Sequence, residues 1–258
     1  MPAKWATVYI DSGPELARLF FSKAMGKSAT SLDSIRGVSN YPEVTERLNM
    51  VFRQLKVLRN RGTEVVMTSH DDIQKVYARG GMIAGKGQTQ QEPIAVKGWP
   101  DFPGSRTPDE LCRAADNVLR VRQLNGKPIF VGKREPLGGG GDYWEVKDRF
   151  NAPSINGGLL PFNYQELAAL AQKQVPNLWA APYLWLIYGS FGIGKTRLSL
   201  TFPRPLLFID TDLGTKSIEA DVRQIQAKEG EDAFKIISFN VEDTNEYPRF
   251  MSTLATIL

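Results

Sequence analysis

Residues Gly189 to Thr196, Gly-Ser-Phe-Gly-Ile-Gly-Lys-Thr, follow the pattern G-x-x-x-x-G-K-[ST]. The pattern suits phosphate chemistry. Glycines let successive backbone N–H groups turn inward around an anion, a lysine brings a point charge to the β and γ oxygens, and a hydroxyl can ligate Mg²⁺. Lys195 and Thr196 take those two roles; Gly189, Ser190, Phe191, Gly192, Ile193 and Gly194 form the cradle, and Arg197 follows at its rim. The chemistry also requires a strand before the loop and a helix after it. The apolar run Leu184 to Tyr188 and the segment Lys195 to Leu200 supply both. Two look-alikes fail this test: Gly26-Lys27-Ser28 has Phe21 where the first glycine belongs, and Gly85-Lys86-Gly87 follows no strand.

Phosphoryl chemistry with Mg²⁺ further needs an acid at the end of a neighbouring buried strand. Ala6 to Ile10 is β-branched and aromatic and ends at Asp11. An aspartate there could simply begin a turn, but the phosphate loop makes it the expected second metal ligand beside Thr196. A strand from Pro205 to Ile209 leads into Asp210-Thr211-Asp212, and alternation along a strand would put both acids on one face. Asp212 is expected to orient the attacking water and Asp210 to have a structural role. Glu64 to Thr68 reads as one more buried strand, followed by Ser69 and His70. His70 fits either a reporter on the γ-phosphate or a polar cap on the next turn.

The elements that would position these groups are those of an α/β chain with a mainly parallel sheet. Apolar residues recur at helical spacing from Tyr41 to Arg59, and helices are also expected over Tyr164 to Gln174 and Tyr247 to Leu258. Asn117 to Arg122, Pro128 to Gly132 and Tyr143 to Val146 read as a meander of strands, with turns at Asn125-Gly126 and Gly138 to Gly141. Lys235 to Phe239 adds a strand. Asp71 to Pro108 has no sustained period and reads as a long functional loop, while Ala152 to Pro161 and Val175 to Pro182 read as loop and linker.

The order of the motifs is unusual, because the acid at position 11 precedes the phosphate loop at 189. Reading from Trp185 to Leu258 and then on from Pro2 restores the common succession of phosphate-loop strand, helix, acid-bearing strands and metal strand. In that rotated order the chain resembles RecA-like P-loop ATPases, particularly small phage-type RecA-like/AAA-family nucleotide-binding proteins. The resemblance implies one circularly permuted RecA-like domain over residues 1–258. Its halves would be 1–150, with the Mg²⁺ strand, sensor strand and meander, and 184–258, with the phosphate loop; 151–183 would join the ancestral termini. Phe208-Ile-Asp-Thr-Asp212 is similar to the strand that carries the family's catalytic acid, usually Glu, which puts Asp212 in that role. Val8-Tyr-Ile-Asp11-Ser12 is similar to the Mg²⁺ strand, and Glu64 to His70 occupies the place of the strand ending in the γ-phosphate sensor, which implicates Ser69 and His70. Val146-Lys147-Asp148-Arg149-Phe150-Asn-Ala-Pro153 resembles a segment whose two basic residues reach a neighbouring subunit's nucleotide in RecA filaments, which implies a homo-oligomer. The bland reading of Lys147 and Arg149 is a surface strand paired with Asp148 or water.

Composition narrows the remaining classes. One cysteine, Cys112, and one histidine, His70, exclude an internal disulfide and a Cys/His zinc site. No apolar run approaches the roughly 20 residues of a membrane span, and the first residues lack the features of a signal peptide, so a cytoplasmic protein is expected, in the host if it is viral. Net charge +4 is compatible with a polyanionic partner. Arg79, Lys86 and Lys97, among Lys75, Arg106, Tyr77, Trp99 and Phe102, make the 71–108 segment a candidate for single-stranded DNA, the alternative being a solvated insertion. The expected activity is Mg²⁺-dependent ATP hydrolysis coupled to DNA recombination, repair or replication. A nucleotide-gated DNA-binding or annealing protein with little turnover, and a motor or chaperone-type ATPase acting on protein, stay open beside it.

Overall fold

Val8 and Ile10 point to one side of β1 (Thr7–Asp11) and Tyr9 to the other, and every residue of the strand is buried. A strand covered on both faces reads as a continuous apolar run, the mark of a parallel sheet between helical layers. The computed structural model describes residues 4–25, 41–76, 95–102, 107–137 and 142–258. Along the chain, β1 is followed by α1 (Gly13–Met25), α2 (Tyr41–Asn60), β2 (Glu64–Ser69), β3 (Asp71–Val76), β4 (Ala95–Pro100) and α3 (Thr107–Ala114). Then come β5 (Asn117–Leu124), β6 (Lys127–Val131), β7 (Tyr143–Trp144), β8 (Leu159–Pro161), α4 (Tyr164–Gln174), β9 (Leu184–Gly189), α5 (Lys195–Leu198), β10 (Leu206–Asp210), α6 (Glu219–Glu229), β11 (Phe234–Ser238) and α7 (Glu246–Ile257).

Eight strands form one sheet in the order β11-β10-β1-β2-β9-β5-β6-β8. Pairing is parallel from β11 to β5 and antiparallel from β5 through β6 to β8. One face is covered by α1, α2, α3 and α7 through residues such as Phe20, Leu48, Leu111 and Phe250. The other is covered by α4, α5 and α6 through Leu167, Leu198 and Val222. The result is a mixed α/β, P-loop NTPase-like architecture in three layers.

Several expectations change. The 71–108 segment is not a plain loop: β3 and β4 pair antiparallel over its two ends, and β7 joins them in a separate three-stranded sheet. Neither Asp-Asp-Ile-Gln-Lys-Val nor Ala-Val-Lys-Gly-Trp-Pro alternates with a period of two. The meander is therefore broken, since β5 and β6 form a hairpin around Asn125 (φ 51) and Gly126 (φ 74) while β7 leaves for the other sheet. Gly13 and Pro14, residue types common in turns, open α1, where proline's missing N–H costs nothing. α3 and α6 are short helices that the periodicity did not reveal. The 151–183 segment is no loose connection: β8 extends the sheet, and Phe150, Tyr164, Trp179, Tyr183 and Trp185 pack ring against ring. Among the described residues no helix is long and apolar enough to cross a membrane.

Candidate functional site

The phosphate loop follows β9 as its pattern requires. Gly192 (φ 74) and Gly194 (φ 96) hold the left-handed backbone conformations that turn the loop's N–H groups inward. The helix beyond is shorter than expected: α5 has 4 residues, and Ser199–Thr201 tighten into a 3₁₀ turn. One turn has little macrodipole, so the inward backbone amides and Lys195 would carry the attraction for a phosphate bound there. Tyr9 Oη donates to the Lys195 carbonyl at 2.6 Å, which ties this turn to β1.

Lys195 is buried, and its Nζ donates to the carbonyls of Gly189 (2.7 Å) and Ser190 (3.0 Å). Burial lowers its pKa, against the pull of Asp11, Asp71 and Asp212. The bonds hold the ammonium over the loop, where a polyphosphate would meet it. Ser190 Oγ donates to Asp71 at 3.2 Å, Ile193 packs into the core, Phe191 is 88% exposed, and Arg197 pairs with Asp221 at 2.9 Å.

Asp11 stands at the carboxyl end of β1 with 2% of its surface exposed. Its Oδ2 accepts from Thr196 Oγ1 at 2.5 Å, and its other oxygen accepts from Thr68 Oγ1. Burial raises its pKa despite those bonds and the nearby Lys195. Thr196 and Asp11 form an oxygen donor pair of the kind that holds Mg²⁺ together with phosphate oxygens and water. Among the described residues no group of three His, Cys, Asp or Glu side chains gathers as a cage. Bound there, Mg²⁺ would neutralise charge developing on the β and γ phosphate oxygens.

A cavity of about 350 Å³ opens over these groups, lined by Asp11, Ser12, His70, Phe191, Gly192, Gly194, Lys195, Thr196, Arg197, Asp212, Gly214 and Ser217. Asp212 lies beyond the end of β10, so strand alternation does not place it; the turn through Leu213 (φ 58) does. Its Oδ1 accepts from the Gly214 N–H at 2.8 Å. The surrounding protein, then Asp11 and Asp210, push its pKa up to about 7. Asp210 turns away and accepts from Thr215 Oγ1 at 2.6 Å and the Gly214 N–H at 3.2 Å, capping the next 3₁₀ turn. His70 lines the cavity with its ring 5.9 Å from Phe191, and burial, then Lys195, lowers its pKa. Ser69 is fully buried, and its hydroxyl lies within hydrogen-bond reach of the His70 (2.9 Å) and Asp101 (3.1 Å) carbonyls, away from the cavity.

Other expected groups lie elsewhere. Lys147 and Arg149 sit beside Val118 and Asn117, at the start of β5 and thus at the opposite end of the sheet from the phosphate loop. Lys147 Nζ donates to the carbonyls of Arg113 (2.8 Å) and Ala115 (2.5 Å) behind α3, and Arg149, 59% exposed, pairs with Asp116 at 3.3 Å. The two side chains are thus differently engaged, although both approach the α3–β5 junction. Of the DNA candidates, Arg79 and Lys86 lie outside the described residues. Lys97 is on β4, with Nζ 5.3 Å from the Trp99 ring centre and 5.5 Å from that of Tyr143. Trp99 and Phe102 are buried and so unable to stack on bases.

Three participants escaped the sequence reading. Thr68, not Ser69, faces Asp11, a choice that alternation along β2 makes once its register is known. Ser12 lines the cavity with a buried hydroxyl that has no partner among the described residues. Gly214 sits so close that an added Cβ would stand 2.7 Å from the Asp212 carboxylate. Nothing in their types or spacing marked them.

A family model described as an AAA domain matches residues 181–251. The match covers the phosphate loop, Asp210 and Asp212, but neither Asp11 nor His70. It supports an AAA/P-loop ATPase-type, nucleotide-binding domain with ATP as the nucleotide. No curated protein and no solved structure matches the chain.

Proposed function

We propose that the protein is a Mg²⁺-dependent, RecA-like ATPase of permuted element order whose hydrolysis is coupled to single-stranded DNA. The observation that carries the reading is the Thr196–Asp11 bond, which brings the phosphate loop against an acid strand 185 residues away in the chain. Permutation is supported by the sheet. Taken from β9 to α7 and then from β1 onward, β9, β10, β11, β1 and β2 run parallel, and the acids at their carboxyl ends converge where open α/β sheets bind ligands. A chain with Leu258 joined to Lys4 through a few residues and reopened near Asn177, so that it runs from β9 to α7 first and from β1 to α4 afterwards, should fold and hydrolyse ATP; failure with several linker lengths would remove the permutation.

Support for DNA is the basic and aromatic group on the small sheet, where Lys97 and Arg134 lie against Tyr143. Phosphate release with and without single-stranded DNA tests the coupling. Stimulation that falls steeply with salt is expected. Equal rates with and without DNA, and DNA affinity unchanged in Arg79→Ala/Lys86→Ala/Lys97→Ala, would dismiss it.

A further inference from the structure

β1 and β10 end side by side, with Asp11 opposite Asp210 in the register, and the turns beyond them are tied by one residue. Thr211 donates its backbone N–H to the Asp11 carbonyl at 2.7 Å. Its hydroxyl accepts from the Ser12 N–H at 2.9 Å and donates to the Ser12 carbonyl at 2.8 Å. A hydroxyl can do both at once, which no apolar side chain of the same shape can. All three residues are buried, so water does not compete for these bonds.

The clasp lies between the two acids that matter most. Asp11, on one side, is joined to Thr196, and Asp212, on the other, lines the same cavity one residue after Thr211. Regular pairing of β1 with β10 stops at Asp11 and Asp210. Beyond it the path toward Asp212 is set from one side by Asp210, which holds Gly214 and Thr215, and from the other by Thr211. Ser12 is gripped by its peptide alone, and its own hydroxyl stays uncommitted in the cavity wall.

We propose that Thr211 is a positioning residue, whose hydroxyl clasps the Ser12 peptide and thereby fixes the separation of Asp11 and Asp212. The proposal rests on the ATPase reading of this site. Removing the hydroxyl leaves the buried Ser12 N–H without a partner, whereas the Ser12 carbonyl keeps the Leu16 N–H at 3.2 Å. The turn is then free to shift, and displacement of a reacting group by about 1 Å can cost on the order of 10²-fold in rate.

The test compares Thr211→Val, of equal shape without the hydroxyl, with Thr211→Ser, which restores it. Thr211→Val is expected to lower kcat by about 10- to 100-fold with KM changed by less than about threefold. Thr211→Ser is expected to return kcat to within about threefold of wild type. Two readouts do not depend on turnover: hydrogen exchange at the Ser12 amide, expected to quicken in Thr211→Val, and the rise in Tm on adding ADP and Mg²⁺, expected to persist. If Thr211→Val does not fold, Thr211→Ala takes its place in the same comparison. Wild-type kcat in Thr211→Val or Thr211→Ala would overturn the positioning role alone, as would a Thr211→Ser enzyme as slow as the valine variant. Wild-type protein that binds no nucleotide and releases no phosphate would remove the ATPase reading, and the positioning role with it.

Discussion

Thr196 Oγ1 donates to Asp11 Oδ2 at 2.5 Å, joining the end of the phosphate loop to the end of β1. The same carboxylate takes a second hydroxyl from Thr68, so two strands and the loop converge on one buried charge. Burial still outweighs these partners and raises its pKa. A raised folded pKa means that the ionised group opposes folding at neutral pH. Asp11→Asn should therefore leave the ligand-free protein at least as thermostable as wild type while Mg²⁺ no longer strengthens ATP binding. Thermal melts and ATP titrations with and without Mg²⁺ check both halves; an Asn variant that hydrolyses ATP at the wild-type rate would contradict the metal assignment.

Asp212 gives the site a pH dependence. Its folded pKa of about 7 lies above its ordinary value of 3.8, so the folded state holds this proton more tightly than the unfolded chain. The stability it contributes is complete below 3.8 and is lost as the pH rises through about 7. The water-orienting role proposed for Asp212 needs the opposite, charged form. Plots of kcat/KM against pH should rise with an apparent pKa near 7, and Asp212→Asn should abolish that limb with a loss of about 10²- to 10⁴-fold. A limb that survives unchanged in Asp212→Asn would assign the base elsewhere.

Glu64 anchors the chain leading from α4 into β9. Its carboxylate accepts from Tyr164 Oη (2.5 Å), the Tyr183 N–H (2.9 Å) and Trp185 Nε1 (2.7 Å), all inside the protein. Tyr164→Phe keeps the ring packing and removes one bond to a buried charge, so unfolding free energy should fall by about 1–3 kcal/mol. Denaturant melts measure it. Unchanged stability would mean that this segment is not held by Glu64, and phosphate release should in any case stay close to wild type because the bond lies far from the cavity.

We propose that, if copies assemble, Arg149 and not Lys147 would reach a neighbouring subunit's site, because Lys147 is engaged by the carbonyls behind α3. Lys147→Ala is expected to cost about 1–3 kcal/mol in stability through those lost charged hydrogen bonds. Arg149→Ala, at an exposed ion pair, should cost under about 1 kcal/mol. Arginine supplied in trans can contribute about 10³ to 10⁵ in rate. Mixing Arg149→Ala subunits with Lys195→Ala subunits should then restore turnover that neither shows alone. Full activity of Arg149→Ala by itself under assembling conditions would refute the trans role.

The sequence by itself determined the local pieces. G-x-x-x-x-G-K-[ST] after an apolar strand, acids at the ends of Ala6–Ile10 and Pro205–Ile209, and the helices at 41–59 and 164–174 follow from backbone geometry and short-range periodicity, which neighbouring residues specify. The folded protein returned these elements within a residue or two. The two strands at the ends of the 71–108 segment were illegible because neither Asp-Asp-Ile-Gln-Lys-Val nor Ala-Val-Lys-Gly-Trp-Pro alternates and short strands gain their stability from partners distant in the chain, and α1 because Gly13-Pro14 serves a turn and a helix start equally well. Only the tertiary structure decided which side chains meet. It put β1 between β10 and β2, turned Thr68 toward Asp11 and Ser69 away, and gave Thr211 the peptide of Ser12 to hold. Such contacts depend on strand order and register, and a shift of one residue would reverse every side chain that makes them.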